Sequence, residues 1–544
     1  VARPIARRLA VALLVALGSL LPGCGSPRPP DAPAGSAPAP PTLPPAQGTF
    51  IFARGGDSVG LDPAHEDDGE SLKVAESIFD CLVEFKPGTT EVEPSLAERW
   101  DISPDGLVYT FHLRQGVSFH DGTPLDADAV LFSLLRQHDE NHPFHSVGGA
   151  WKYWGAMDMS KIIASIKAPD PATVVITLNT PNAPFLANLA MPFAGIVSPT
   201  ALKAEGEGFS QRPVGSGPFK FVSWEQEQKI VLAANDSYWG GRPKLDRVIF
   251  EVVKDKNVRA LRFKSGEIHG LDDPGPAELE VIKDLPHAKI LQQAGMNVGY
   301  LAMNTMRKPF DDVRVRIAIN LAVDKERIVR DIFRGTGQVA KNPLPPTLWG
   351  YADDVQDFPH DPAKAKQLLA EAGFPNGFET TLWYMPVSRP YMPDGKEVAE
   401  SIQLDLQEIG ITARMVTYDW SAYLKKTNDG EHDMALLGWS GDNGDPDNFL
   451  YNLLSIHAAE QRPSQNIAFY KNAEFDRLIT EAKRVTDQGE RAKLYQQAQH
   501  AFHADPPWVC LAHNIQTVVV RSDVEGFVLY PDTRKDFRTV SFKP

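Results

Sequence analysis

Along the chain, short apolar runs rich in β-branched residues alternate with stretches whose apolar positions recur at helical spacing. Residues 174–178, 248–253 and 517–520 read as strands, and the apolar run 434–439 reads as a buried strand that carries Trp439 to its end. Residues 362–372, opened by Asp361 and stopped at Gly373, and 396–409, stopped at Gly410, read as amphipathic helices. The alternation predicts mixed α/β architecture. Pro and Gly clusters at 215–218 and 343–346 punctuate it without looking like flexible linkers, and the absence of an internal repeat excludes solenoids and propellers.

The two longest apolar runs, 9–21 and 185–197, are too short for a conventional membrane-spanning helix, and the second contains Asn188 and Pro192. The first run is different in kind. Arg3, Arg7 and Arg8 precede it, which is the pattern of a secretory signal, and it ends at Cys24. Leu21-Pro22-Gly23-Cys24 resembles the lipobox of bacterial lipoproteins, with Pro22 departing from the usual small residue. We expect residues 1–23 to be a signal peptide and Cys24 to carry a lipid, with secretion without a lipid as the alternative. Residues 27–45 are a Pro/Ala tract too poor in large apolar groups to fold, so 24–47 reads as an anchor and tether.

Charge and cysteine content narrow the function. The 544 residues carry a formal charge of −15, which argues against nucleic acid as a partner, since phosphate binding needs clustered positive charge. Beyond Cys24 there are only Cys81 and Cys510, which we expect to be buried free thiols. Gly56-Asp57-Ser58-Val59-Gly60 fits Gly-x-Ser-x-Gly, but a nucleophile elbow needs a helix directly after it, and Leu61-Asp62-Pro63 reads as a turn. No zinc-protease helix or phosphate-cradling loop motif occurs. His138, His142 and His145 have helical spacing, but Pro143 interrupts it and a polar loop is expected. The acidic run 442–448 fails the EF-hand template, with Gly444 at the third ligand position and Leu453 where the bidentate Glu belongs. The expectation is no catalytic centre, no metal and no cofactor.

Taken alone, the acidic run reads as a turn-forming loop just past a strand tip, Asp442 as a turn cap, and Arg389 in Ser-Arg-Pro-Tyr as an exposed cation. Its context changes that. Gly438-Trp439-Ser440-Gly441-Asp442-Asn443-Gly444-Asp445-Pro446-Asp447-Asn448-Phe449 resembles the signature of the dipeptide-binding proteins that serve bacterial ABC importers, within family 5 of the extracellular solute-binding proteins. The resemblance extends from about Gly48 to the C-terminus. It includes Tyr109-Thr110-Phe111-His112-Leu113-Arg114, Val214-Gly215-Ser216-Gly217-Pro218-Phe219, Lys308-Pro309-Phe310-Asp311-Asp312-Val313-Arg314 and Met385-Pro386-Val387-Ser388-Arg389-Pro390-Tyr391.

The resemblance implies a two-lobed periplasmic-binding-protein clamp of class II type with an additional inserted domain. By this analogy, 48–79, 219–292 and 513–544 form a discontinuous lobe I, 80–218 a second domain, and 293–512 lobe III. It further implies that Asp442 receives the peptide's ammonium and Arg389 its carboxylate, with Tyr391, Trp439, Ser440, Gly441, Gly69 and Ser71 also lining the site. Glu66, Asp67, Asp68 and Glu70 stand where relatives carry a small, uncharged loop, which would favour cationic peptides. The implied partners are a dipeptide or short peptide, ABC permease subunits and, through Cys24, a membrane. The implied protein is a periplasmic or envelope-anchored monomer. Haem or longer peptides as ligand, and peptide sensing without transport, are the alternatives.

Overall fold

The computed structural model describes residues 48–543, so the expected signal, Cys24 and the tether lie outside the described residues. The strand expected at 248–253 forms over Arg247–Val252 and pairs in parallel with Thr49–Arg54. Phe50, Phe52, Val248 and Phe250 are all fully buried. Lys229–Ala234 and Phe219–Glu225 extend this sheet antiparallel on one side, and Gly270–Asp272 joins it in parallel on the other.

Next in the sheet comes Trp508–Arg521, a strand of 14 residues and therefore roughly 46 Å long. Its second half pairs with Gly270–Asp272 and Ala288–Ala294, and its first half pairs with Asn297–Met303. Beyond Asn297–Met303 lie Met434–Ser440 and then Glu379–Trp383 and Thr412–Val416, the last two parallel and linked through the helix Gly395–Glu408. That helix starts one residue before the expected position because the Asp394 carboxylate accepts from the N–H groups of Lys396 and Glu397. The other expected helix forms over Pro362–Glu371.

Two neighbouring crossings therefore join the halves of the sheet, one at 294–297 and one at 512–515. Gly295 N–H donates to Asn514 O at 2.9 Å, and Asn514 N–H donates to the side-chain oxygen of Asn297 at 2.7 Å. A Cβ on Gly295 would stand 2.4 Å from Asn297 Nδ2, so the close approach requires glycine there.

A separate antiparallel sheet, in the order Ala97–Ile102, Val108–Leu113, Thr173–Leu178, Ile163–Asp170, is backed by the helix Ala127–His138. Apolar side chains gather accordingly. One core draws on 296–512, a second on 81–196, and a third combines the Phe50–Phe250 region with 518–540. Val197, Leu202 and Phe209 pack in the third core. Cys81 and Cys510 are buried and free, and they belong to different cores, which keeps them from pairing.

Candidate functional site

The strand Met434–Ser440 runs antiparallel to Asn297–Met303 with Ser440 opposite Asn297, and Gly441 N–H closes the ladder on Met296 O at 2.7 Å. Asp442 is the next residue. The loop that follows is built from Asx turns, as its composition implies: the N–H groups of Asp445 and Asp447 donate to the side chains of Asn443 and Asp445, each at 3.0 Å. It is nevertheless no solvated loop. Asp445 takes a bidentate pair from Arg491 at 2.8 Å and 2.8 Å, Asp447 lies 3.4 Å from Lys483 Nζ, and both carboxylates are buried. Carboxylates so engaged are unavailable to calcium, and among the described residues no group of three His, Cys, Asp or Glu could hold a metal ion.

Asp442 is half-buried. Its Oδ1 accepts from the Tyr153 hydroxyl at 2.9 Å, and the Asn448 side-chain amide stands 3.5 Å from Oδ2. Asn448 also accepts from the Trp439 indole at 2.7 Å, so strand end and loop are tied by one side chain. No cation pairs with Asp442 among the described residues. Burial without a counter-charge pushes its carboxyl up to about 7, against the opposing effect of the Tyr153 and Asn448 hydrogen bonds.

Arg389 lies in a tight turn in which Arg389 and Met392 exchange backbone hydrogen bonds at 3.0 and 2.9 Å. Its guanidinium sits 5.0 Å from the Trp420 ring centroid and donates to Ser388 O, and no carboxylate among the described residues pairs with it. It lines a cleft together with Lys256, Asp273 and, from the crossing, Asn514 and Ile515. Tyr391 fixes the turn to the site strand. Its ring leaves no space for a Cβ on Gly438, which would stand 2.2 Å from the ring, and its carbonyl does the same at Gly299. Tyr391 is consequently buried in the core, and burial pushes its hydroxyl up to about 12. Asp442 is four residues beyond Gly438, at most about 13 Å along an extended chain. Tyr391 thereby packs the turn that carries Arg389 against the strand whose end leads into Asp442.

The segment at 66–71 differs from its sequence reading. Ser71 is fully buried and its hydroxyl accepts from Val59 and Gly60 N–H, which ties the loop. Gly69 is exposed at the start of the helix Gly69–Ile78, which Asp68 caps. Of the four acids, Asp67 pairs with Lys152 at 2.7 Å, and Glu70 stands near Lys73 and Arg54. Burial pushes Glu66 up to about 7. The negative charge this loop presents is thus smaller than its composition suggests.

Ser58 sits in a loop, its hydroxyl engaged with Glu70 O and Arg54, and no helix follows it. His138 ends its helix while His142 and His145 lie beyond it, each hydrogen-bonded locally to the backbone. Tyr153, Asn448, Arg491 and Lys256 escaped sequence reasoning. Asn448 lies inside the 438–449 signature without an assigned role there, while Tyr153 and Arg491 belong to no recognisable motif and act through partners 289 and 46 positions away.

Residues 91–460 match the family described as bacterial extracellular solute-binding proteins, family 5, middle region. The chain belongs to that family. As a family 5 solute-binding protein it is a two-lobed clamp, and its relatives include the heme-binding protein A of Haemophilus influenzae, 45% identical over 89% of this chain and 90% of the relative. It is 41% identical to the dipeptide-binding protein of Escherichia coli, over 91% of this chain and 95% of that one. Among solved structures it resembles the periplasmic binding protein DppA of Helicobacter pylori in complex with the peptide STSA. That structure has a TM-score of 0.80 and 43% identity, covering 91% of this chain and 98% of the other. Family 5 proteins bind solutes outside the cytoplasm.

Proposed function

We propose that this family 5 protein captures dipeptides and other short peptides by their charged termini and hands them to an ABC permease. The observation that carries the reading is a pair of charges near the strand Met434–Ser440 that lack ion-pair partners among the described residues: a half-buried Asp442 just past its end and Arg389 in the turn that Tyr391 packs onto it. A zwitterion supplies both partners at once, and a planar guanidinium suits a carboxylate. The peptide-binding relatives and the peptide complex of the Helicobacter protein support the same reading. Trp439, Ser440 and Gly441 would supply main-chain groups and a wall, Gly69 an exposed backbone on the other side, and Ser71 acts by holding its loop. The name of the Haemophilus relative keeps haem as a second reading. Haem propionates would suit Arg389 and Lys256, but haem carries no ammonium for Asp442.

In this proposal the three cores mark lobe I, a second domain at about 80–218 with 197–209 packed on lobe I, and lobe III at 293–512. The crossings at 294–297 and 512–515 are the hinge. The protein would return its ligand unchanged, work as a monomer, and be held at a membrane by a lipid on Cys24, which the mass of the mature N-terminal residue would reveal.

Mass spectrometry of ligand released from purified, denatured protein tests the function. Unhydrolysed peptides of two to three residues are expected. A Soret-absorbing ligand would instead install the haem reading, and free amino acids accumulating from added dipeptide would overturn the binder assignment.

Proton linkage gives a further expected result. An ammonium pairs with ionised Asp442 only, and the free protein holds a proton there below about pH 7. Affinity should therefore fall as pH drops through 7, by about tenfold per unit below it, with close to one proton released on binding at pH 6 and almost none at pH 8. Calorimetry in buffers of different ionisation enthalpy measures this release, and a pH-independent affinity between 5 and 8 would remove Asp442 from the ligand.

A further inference from the structure

The carboxylate assigned to the peptide's amino terminus takes its best hydrogen bond from a different core. Tyr153 lies on the short helix Lys152–Ala156, beside the four-stranded sheet, with its ring stacked on buried Phe193 at 5.9 Å and 17°. Its hydroxyl donates to Asp442 Oδ1 at 2.9 Å. The two residues after Asp442 meet the same part of the chain. Asn443 donates its side-chain amide to Asn188 at 2.7 Å, and Gly444, at φ +68, lies so close to Thr90 that a Cβ would stand 2.1 Å from it. Three successive loop residues of lobe III are thus each met by a residue between 90 and 188.

The other groups facing Asp442 do not compete for this role. Asn448 is neutral, and Asp532, from the C-terminal segment, is already paired with Arg534 at 3.0 Å. Asp67 and Asp68 lie near Tyr153 from the 66–71 segment, where Lys152 pairs with Asp67 and Asp68 caps its helix.

We infer that Tyr153, from the second domain, is a positioning residue of the ammonium site: its hydroxyl bond to Oδ1 orients the Asp442 carboxylate for the peptide's ammonium. The inference rests on the assignment of Asp442 to the peptide's amino terminus. A carboxylate offers about four lone-pair directions. Tyr153 takes one on Oδ1 and leaves room on both oxygens for an ammonium. A hydroxyl donor favours the ionised form, so its loss leaves only the Asn448 amide opposing burial and raises the carboxyl further. Tyr153, packed against the core at 81–196, thus completes a receptor group carried by the core at 296–512.

Tyr153→Phe keeps the ring and its stack on Phe193 and deletes the hydroxyl alone. Two measurements decide the matter, after thermal unfolding has shown the variant to be folded. In ligand-free protein labelled with carboxyl-13C aspartate, the Asp442 resonance is assigned by its loss in Asp442→Asn. Its titration midpoint should rise by about one pH unit in Tyr153→Phe. By titration calorimetry, affinity for a free dipeptide at pH 7 should fall roughly tenfold, and the gap should narrow as pH rises. An unchanged midpoint overturns the inference, and so does an affinity loss equal at every pH, which is what a merely structural role would produce. If the midpoint moves while neither protein binds dipeptides, the peptide assignment fails and the coupling of Tyr153 to Asp442 stands.

Discussion

Asp442→Ala is expected to weaken dipeptide binding by about 2–5 kcal/mol, roughly 30- to several-thousand-fold, and Arg389→Ala by a similar amount. Each substitution strands the opposite terminus of the ligand in a closed cleft, and a buried charge without a partner is costly. The two losses should carry different signatures. Asp442→Ala should cease to discriminate against N-acetylated dipeptides, and Arg389→Ala against C-amidated ones. Titration calorimetry with free, acetylated and amidated forms of one dipeptide reads both. Unchanged affinity in both variants would remove the site, and weakened binding with the wrong terminal pattern would reverse or discard the roles.

Arg491→Ala should be the most damaging single change outside the ligand contacts. It leaves Asp445, 5% exposed, as a buried carboxylate with neither of its two guanidinium bonds. Breaking a buried pair from one side costs about 3–5 kcal/mol. Because Asp445 sits three residues from Asp442, the loss should appear in urea unfolding and also as weakened dipeptide binding. Asp445→Asn with Arg491→Met, which removes both charges, should recover most of the stability. Failure of that recovery, or an Arg491→Ala protein as stable as the parent, would mean that the pair does not hold the loop.

What the sequence revealed, and what it hid, follows from the range of the interactions. The Met434–Ser440 strand and the Asx turns after it were legible because strand periodicity and turn chemistry are local. The same local signals misjudged the loop's environment, since Arg491 and Asn188 bury it from 46 and 255 positions away. The strand at 517–520 emerged as Trp508–Arg521, longer by most of its length, because buried His513, Asn514 and Gln516 break the apolar pattern where the strand changes partners. Ser71 came into the site through the resemblance alone, and the direction of its hydroxyl, toward Val59 and Gly60, is set by packing that no local pattern records. Tyr153 carried no signal at all, being one aromatic in Trp151-Lys152-Tyr153-Trp154.

The long Trp508–Arg521 strand also sets the order in which the molecule can be finished. Its residues 515–521 lie between Gly270–Asp272 and Ala288–Ala294, and its residues 508–512 border Asn297–Met303. All of these partners are synthesised more than two hundred residues earlier. The sheet built on Thr49–Arg54 and the sheet built on Met434–Ser440 therefore both wait, with an open edge, for the same late segment. Their closure entropy is spent in one step near the end of synthesis. Until Trp508–Arg521 has emerged both sheets keep an open edge, and its arrival completes them together.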